Sequence, residues 1–322
     1  RKPEDGKMPR EDYNIFMAMS QRIGQDSKGN SVFVLDGNGN STGVLNHDLN
    51  EIADAYIDFL SGNEHQKSEY IFTIKKSEVK DHININPQHY SPKLNAALDS
   101  VLAFDNTDNW ATTTVGQLEA GIRIYIGPRW NSASIKVDNP TDISNLVPYL
   151  TANAALELRR FTVKWLDARK ANPQQRQCID MLKIHEGDIL ISRSGTIGKV
   201  TYATKDLAEN YIVSDDLVRI RVKDANLRAY LLAYFTSSTA LALMLLDEYG
   251  SVQQHLQPRH IQEMLIPVPD DWSLAQDMID AGNMFIKAME DMSKADRKIR
   301  MQGFDALIAE YLYNDQAKGD QP

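Results

Sequence analysis

The sequence predicts an α+β fold: a mixed-sheet domain flanked by a small N-terminal hairpin-plus-helix segment and a C-terminal helix. Three observations carry this. The strand-like runs TTTVGQLE, RIYIGP, LVPYLTA, GDILISRSG, GKVTYAT and NYIVSDDLVRIRV follow one another at irregular spacing between residues 112 and 222. That rhythm lacks the regular strand–helix alternation of a doubly wound sheet. The run LRAYLLAYFTSSTALALMLLDEYG then reads as two helices broken near Ser237-Ser238. From Ser273 onward Leu274, Met278, Ile279, Phe285, Ile286 and Met289 fit one helical face, and Phe304, Leu307, Ile308, Tyr311 and Leu312 continue a similar face past Gly303.

At the N-terminal end, SVFVLDGNGN runs β-branched and aromatic residues into Asp36-Gly37-Asn38-Gly39, a hairpin turn. The following DLNEIADAYIDFLSG places Leu49, Ile52, Ala53, Tyr56, Ile57 and Leu60 at helical spacing and stops at Gly62. Asp48 is positioned to cap that helix, with Glu51 completing a capping box. An EF-hand reading of Asp36-x-Asn38-x-Asn40 fails: Ser41 stands where the sharp turn needs Gly, and His47 where a bidentate Glu is needed. EYIFTIKKSEV reads as a strand, and the proline-containing DHININPQHYSPKLN places a boundary near residue 82. Three segments are expected: 1–82, 83–272 and a helical tail 273–322.

The 322 residues leave room for two domains, with 42% hydrophobic and 25% charged residues. No apolar run is long enough to cross a bilayer and no secretion signal pattern opens the chain, so a cytoplasmic location away from membranes is expected. The single cysteine, Cys178, excludes an internal disulfide and a cysteine-based zinc cluster. A net charge of −9 argues against indiscriminate nucleic-acid binding but leaves room for a local basic face. The opening Arg1-Lys2, without methionine, reads as the start of a piece of a longer protein.

The stretch SGTIGKV resembles a phosphate loop only superficially. Position 193 is Arg where the first glycine is required, and Val200 follows the Gly-Lys pair where Ser or Thr is required. Gly195 and Gly198 therefore read as turn glycines. The side chains Arg193, Ser194, Thr196 and Lys199 are candidates to project from that turn toward a ligand. A second concentration, ALELRRFTVKWLDARKANPQQRQ, puts Arg159, Arg160, Lys164, Arg169, Lys170 and Arg176 in an otherwise acidic chain. Arg forks suit phosphates and guanine edges, and Gln174, Gln175 and Gln177 suit adenine edges. The same run reads equally as a solvated charged face. A third cluster, YGSVQQHLQPRHI, offers Gln253, Gln254, His255, Arg259 and His260 for base or phosphate contacts. Its two histidines have no acidic or thiol partner at ligand spacing, so no metal is expected. Neither a nucleophile motif nor a dinucleotide fingerprint is present. A nuclease built on Asp188, Asp215 and Asp216 is a remote rival.

In order, HEGDILISRSGTIGKVTYA, ENYIVSDDLVRIRV, LLAYFTSSTALALM and YGSVQQHLQPRHIQEMLIPVP resemble the target recognition domain of type I restriction-modification specificity subunits, over residues 85–270. The first 80 residues are similar to the tail of the catalytic domain of N6-adenine DNA methyltransferases, through QRIGQDSKGNSVFVLDGNGN, DLNEIADAYIDFL and EYIFTIKKSEVKDHININPQHY. The family's Asn-Pro-Pro-Tyr motif and glycine-rich methyl-donor site are missing; Asn86-Pro87 continues as Gln-His. The resemblance therefore implies a DNA-recognition module with no catalytic residue or cofactor of its own, from a parent enzyme that uses S-adenosylmethionine. It also implies double-stranded DNA and a methyltransferase domain or subunit as partners. The tail after Ser273 becomes a spacer helix, and a homodimer through it would restore a pair of recognition domains. The alternative is an assembly module that does not read bases.

Overall fold

A computed structural model of the chain describes residues 12–26, 28–63, 68–79, 85–118, 121–157, 163–245 and 255–302. The chain divides into two compact units, Arg1–Asp99 and Ser100–Pro322, where the sequence placed divisions after residues 82 and 272.

In the first unit, β1 (Asn14–Ala18) pairs antiparallel with β4 (Ile71–Lys75). Met17, Phe72 and Ile74 form the buried cluster on that pair. Between them lie the ribbon β2 (Phe33–Leu35) and β3 (Ser41–Leu45) and the helix α1 (Leu49–Ser61). The hairpin turn is built as the sequence predicts: the Asp36 carboxylate accepts from the backbone N–H of Asn38 and Asn40, and Gly39 takes φ +83°. Gly62 ends α1 with φ +75°. The capping box does not form. The Asp48 side chain makes no cap bond and instead accepts from Ser20 Oγ (2.6 Å), Gln21 N (2.7 Å) and Arg22 N (3.2 Å). Three donors from a distant loop outcompete one helix amide, and they hold the carboxyl below its ordinary value against the opposing effect of burial.

Sequence reading missed α2 (Pro92–Leu102) altogether. Its signals were legible: Pro92 at the first helical position and Leu94, Ala97 and Val101 at helical spacing, all three buried.

The second unit holds two four-stranded sheets. In one, β11 (Val200–Tyr202), β10 (Ile189–Ser192), β13 (Leu217–Arg221) and β6 (Arg123–Ile126) are neighbours in that order, all antiparallel. The other is mixed, as expected: β12 (Ile212–Val213) runs parallel to β8 (Val147–Leu150), which pairs antiparallel with β9 (Lys164–Leu166), and β9 with β7 (Lys136–Val137). The run NYIVSDDLVRIRV, one strand in the sequence reading, is thus two strands in different sheets. Ser214-Asp215-Asp216 make the crossing, with Ser214 N donating to Leu150 O. A two-stranded pair, β5 (Trp110–Thr114) with β14 (Leu265–Pro269), completes the strands of this unit.

Helices α3 (Ala152–Leu156), α4 (Pro173–Met181), α5 (Lys205–Asn210), α6 (Ala225–Phe235), α7 (Ser238–Met244), α8 (Pro258–Glu263) and α9 (Gln276–Gln302) surround these sheets. The α6–α7 break falls where Ser237 Oγ caps α7 through Ala240 N. Along α9 the predicted single face resolves into two seams. Ile279, Gly282, Met289, Ser293 and Asp296 are buried, and Gly282 lies against the backbone of Ala229 in α6. Leu274 and Met278, predicted on the same face, are 50% and 42% exposed. Residues 303–322, with the predicted continuation of that face, lie outside the described residues.

Candidate nucleic-acid interface

The turn joining β10 to β11 is fixed from inside by one hydroxyl. Ser192 Oγ donates to Thr196 O and accepts from Lys199 N at 2.9 Å, while Gly198 N donates to Ser192 O at 3.0 Å. Gly195 and Gly198 have φ of +69° and +79°. The positive φ is what favours glycine at 198; a Cβ there would also lie 2.5 Å from Leu241 Cδ1 in α7, the tip of an exposed side chain that would have to swing aside. Ile197 is buried, anchoring the turn, so Thr196 and Lys199 are held exposed and Ser194 half-exposed on a rigid tip. The glycines thus have the conformation that the sequence assigned them.

Arg193 corrects expectation. It is 8% exposed, its Nε donates to Leu256 O at 3.1 Å, and its carbonyl accepts from Leu256 N at 2.9 Å. It is a strut rather than a projecting group, because a guanidinium beside an unpaired carbonyl forms a charge-assisted bond that water cannot better. The strut has a useful consequence: it brings His255, next in chain to Leu256, to the turn. His255 is half-buried, and its Nδ1 has no hydrogen-bond partner among the described residues. Gln253 and Gln254 lie outside the described residues.

The basic stretch divides similarly. Lys164 is exposed on β9, its Nζ 6.0 Å from the centroid of the Tyr149 ring. Tyr149 sits opposite Lys164 in β8, edge-on to Trp130, and burial raises its hydroxyl above the ordinary value. Arg169 instead folds back on the preceding Asp167, with Nε and Nη2 at 2.8 and 3.0 Å from the two carboxylate oxygens. That fork holds the Asp167 carboxyl below its ordinary value. Gln175 is occupied too, closing a capping box with Asn172 and donating to Asn131 O and Ser134 Oγ. The spacing Asn172-Pro173-x-Gln175 made that cap legible in advance. Arg159 and Arg160 lie outside the described residues. The polar groups left at the surface are Lys199, Thr196 and Ser194 on the turn and Lys164 on the second sheet, with half-buried Asp215 and Asp216 in the crossing whose backbone meets Arg193 N.

Two residues that sequence reading passed over organise the scaffold beneath. Arg219 is fully buried in β13, with Nη1 donating to Met181 O and Lys183 O and Nη2 to Val213 O and Ser214 O. It ties the crossing between the two sheets, and burial lowers its guanidinium from the ordinary value. Arg221, two residues on, makes two bonds to the fully buried Asp188. Asp188 also accepts from His185 N and Tyr125 Oη, which leaves it no vacant face for a cation. No group of three or more His, Cys, Asp or Glu able to hold a metal occurs among the described residues, so the nuclease trio gains no support.

Residues 126–279 match the family model described as the type I restriction modification DNA specificity domain. The likeness is confined to this segment, a little under half of the chain. Among solved structures the chain is similar to the HsdS subunit from Thermoanaerobacter tengcongensis, at 16% identity and TM-score 0.37, over 65% of this chain and 47% of that one. It is similar to the type I S subunit from M. genitalium at 10% identity and TM-score 0.36, over 65% and 46%. The type IIG restriction endonuclease BpuSI aligns at 13% identity and TM-score 0.42, over 73% and 33%. The chain thus spans about half the length of the two subunits and a third of the endonuclease. Against curated proteins it has no match. The matched segment runs from the last residue of β6 through β14 and into α9, so both four-stranded sheets and the rigid turn lie within or at the border of it. No helix among the described residues is long and apolar enough to cross a membrane.

Proposed function

We propose that the specificity domain reads a duplex DNA sequence and delivers an adenine methyltransferase domain or subunit to that site. Methylation, with S-adenosylmethionine as donor, belongs to that catalytic partner, as does any cleavage. The family match over residues 126–279 carries the reading. The rigid turn supports it: Ser194, Thr196 and Lys199 are polar groups on a locked backbone, suited to base edges and phosphates alike. With a net charge of −9, the chain alone binds DNA weakly, and its partner supplies most of the sequence-independent attraction.

The test is binding of the full chain to duplex DNA across a salt series. Lys199→Gln with Lys164→Gln, and separately Arg159→Gln with Arg160→Gln, should each weaken binding and flatten the salt dependence, by roughly 0.9 in slope for each phosphate no longer neutralised. Unchanged affinity and slope in both pairs would remove these residues from the interface. Absence of any DNA binding, by the chain alone or with a methyltransferase subunit, would favour an assembly module instead.

The proposed pairing partner of α9 is a second copy of the chain. Beside its buried seam, the helix carries a second stripe at alternating three- and four-residue spacing: Met278, Ala281, Phe285, Ala288, Met292 and Ala295. All are exposed except the half-buried Phe285. A strict 3.5-residue apolar period suits a helical partner. In an antiparallel pair of copies Met278 faces Ala295, Phe285 faces Ala288 and Met292 faces Ala281, so every layer sets a large side chain against a small one. The same register sets exposed Asp277 beside Lys298 of the other copy. A concentration-dependent dimer is expected in sedimentation, and Met292→Glu should make it monomeric with unchanged helicity. A monomer at every concentration would refute the pairing.

A further inference from the structure

The far end of the sheet from the rigid turn carries a second cationic feature, outside the residues proposed above. In the β6–β13 register Arg123 stands directly opposite Arg221, and Tyr125 opposite Arg219. Like charges facing one another across strands ordinarily destabilise a sheet. Here three guanidiniums gather around one ring: Arg123, Arg221 and Arg219 lie 4.7, 5.5 and 5.9 Å from the Tyr125 centroid. Among the described residues only one carboxylate, Asp188, bonds to any of the three, and it is committed to Arg221. Arg219 is turned inward to its four carbonyls. Arg123 is exposed, lies against the ring, and forms no ion pair among the described residues.

A second donor stands beside it. His185 Nδ1 is 2.5 Å from Arg221 Nη2, and an arginine can only donate, so Nδ1 is the acceptor. In the neutral ring the proton is then on Nε2, a donor on an exposed side chain. Exposed Lys223 follows from the same strand, near Gly121. An arginine fork, an imidazole N–H and a lysine supply donors in several directions, which suits the tetrahedral oxygens of a phosphate better than a planar carboxylate. Stacking on Tyr125 lowers the ordering cost that a free arginine bears on binding.

We infer that Arg123, with His185 and Lys223, forms a phosphate-binding site on the Tyr125 edge of the sheet. The phosphate comes either from the DNA backbone beyond the read bases or from a free phosphate ion. This goes beyond sequence reading by the turn and does not depend on it.

Two titrations of the full chain decide it. In the first, inorganic phosphate replaces chloride at constant ionic strength and the melting temperature is followed. The unaltered chain should show a saturable rise, Arg123→Gln should lose it, and Arg123→Lys, which keeps charge without the fork, should keep only part. Lys205→Gln, on a surface lysine paired with Glu209, should retain it. In chloride, Arg123→Gln should melt no lower than the parent, because a like-charge repulsion is removed; a merely structural arginine would lower it. In the second titration, duplex DNA binding is followed across salt. A slope reduced by roughly one in Arg123→Gln identifies backbone phosphate as the source. An unchanged slope together with a lost phosphate response identifies free phosphate. No phosphate response in the parent and no change in the DNA slope would overturn the site, as would a response that survives Arg123→Gln. If the parent binds DNA while Arg123→Gln changes neither measurement, this site fails and the recognition reading stands.

Discussion

Arg219→Ala should cost the second unit about 3–5 kcal/mol, from buried carbonyls left without a donor together with the cavity left behind. The side chain is fully buried and its four acceptors are main-chain carbonyls, two from the α4 end and two from the strand crossing. Truncation orphans those carbonyls and opens a cavity as well. The loss stays below the sum of four charged hydrogen bonds, because a desolvated cation is removed at the same time. Arg219→Met refills the volume and leaves the carbonyls unmet, so about 2–3 kcal/mol is expected for it. All four tryptophans, at 110, 130, 165 and 272, belong to this unit, so their emission in a urea titration reports on it. A midpoint for Arg219→Ala corresponding to under ~1 kcal/mol at constant slope would show that the carbonyls find other donors. Gly127 gives an independent check. A Cβ there would lie 2.8 Å from Arg219 Nη2 and 2.7 Å from Leu182 Cδ2, so Gly127→Ala should also destabilise, by displacing the guanidinium.

Gly282→Ala should destabilise by about 3 kcal/mol, at the upper end of overpacking costs. Intrinsic helix propensity argues the other way, favouring alanine by roughly 1 kcal/mol. The crossing with α6 decides the sign. A Cβ at 282 would lie 2.0 Å from the carbonyl oxygen of Ala229 and 2.5 Å from its carbonyl carbon, and a helix backbone cannot rotate aside. The two helices must separate, loosening Ile279 and Met289 together. For a unit of this size the melting temperature should fall by roughly 6–12 °C. Ala229→Gly should not rescue the variant, since the obstruction is main chain rather than the alanine methyl. Rescue, or a melting temperature at or above the parent's, would mean that α9 does not pack on α6 this closely.

Local chemistry was legible wherever it is decided by neighbours in sequence. The Asp36-Gly37-Asn38-Gly39 turn, the α1 stop at Gly62, the α6–α7 break at Ser237 and the turn conformations of Gly195 and Gly198 all follow from φ preferences and capping groups within a few residues. The errors have a common origin. Asp48 was assigned to the nearest helix amides, but its oxygens are taken by Ser20, Gln21 and Arg22, more than twenty residues away. Arg193 looked like a projecting cation and is a strut for Leu256, 63 residues on.

By itself the sequence determined the α+β class, the strands β5, β6, β8, β10 and β11, the helices α6, α7 and α9 and the recognition-domain resemblance, because periodicity, turn residues and motif order are properties of the chain. Only the tertiary structure decided which arginines are exposed and which are buried. A guanidinium reads the same in sequence whether it meets water, four carbonyls like Arg219 or an aromatic ring like Arg123. Its role depends on what remote strands bring within hydrogen-bonding distance.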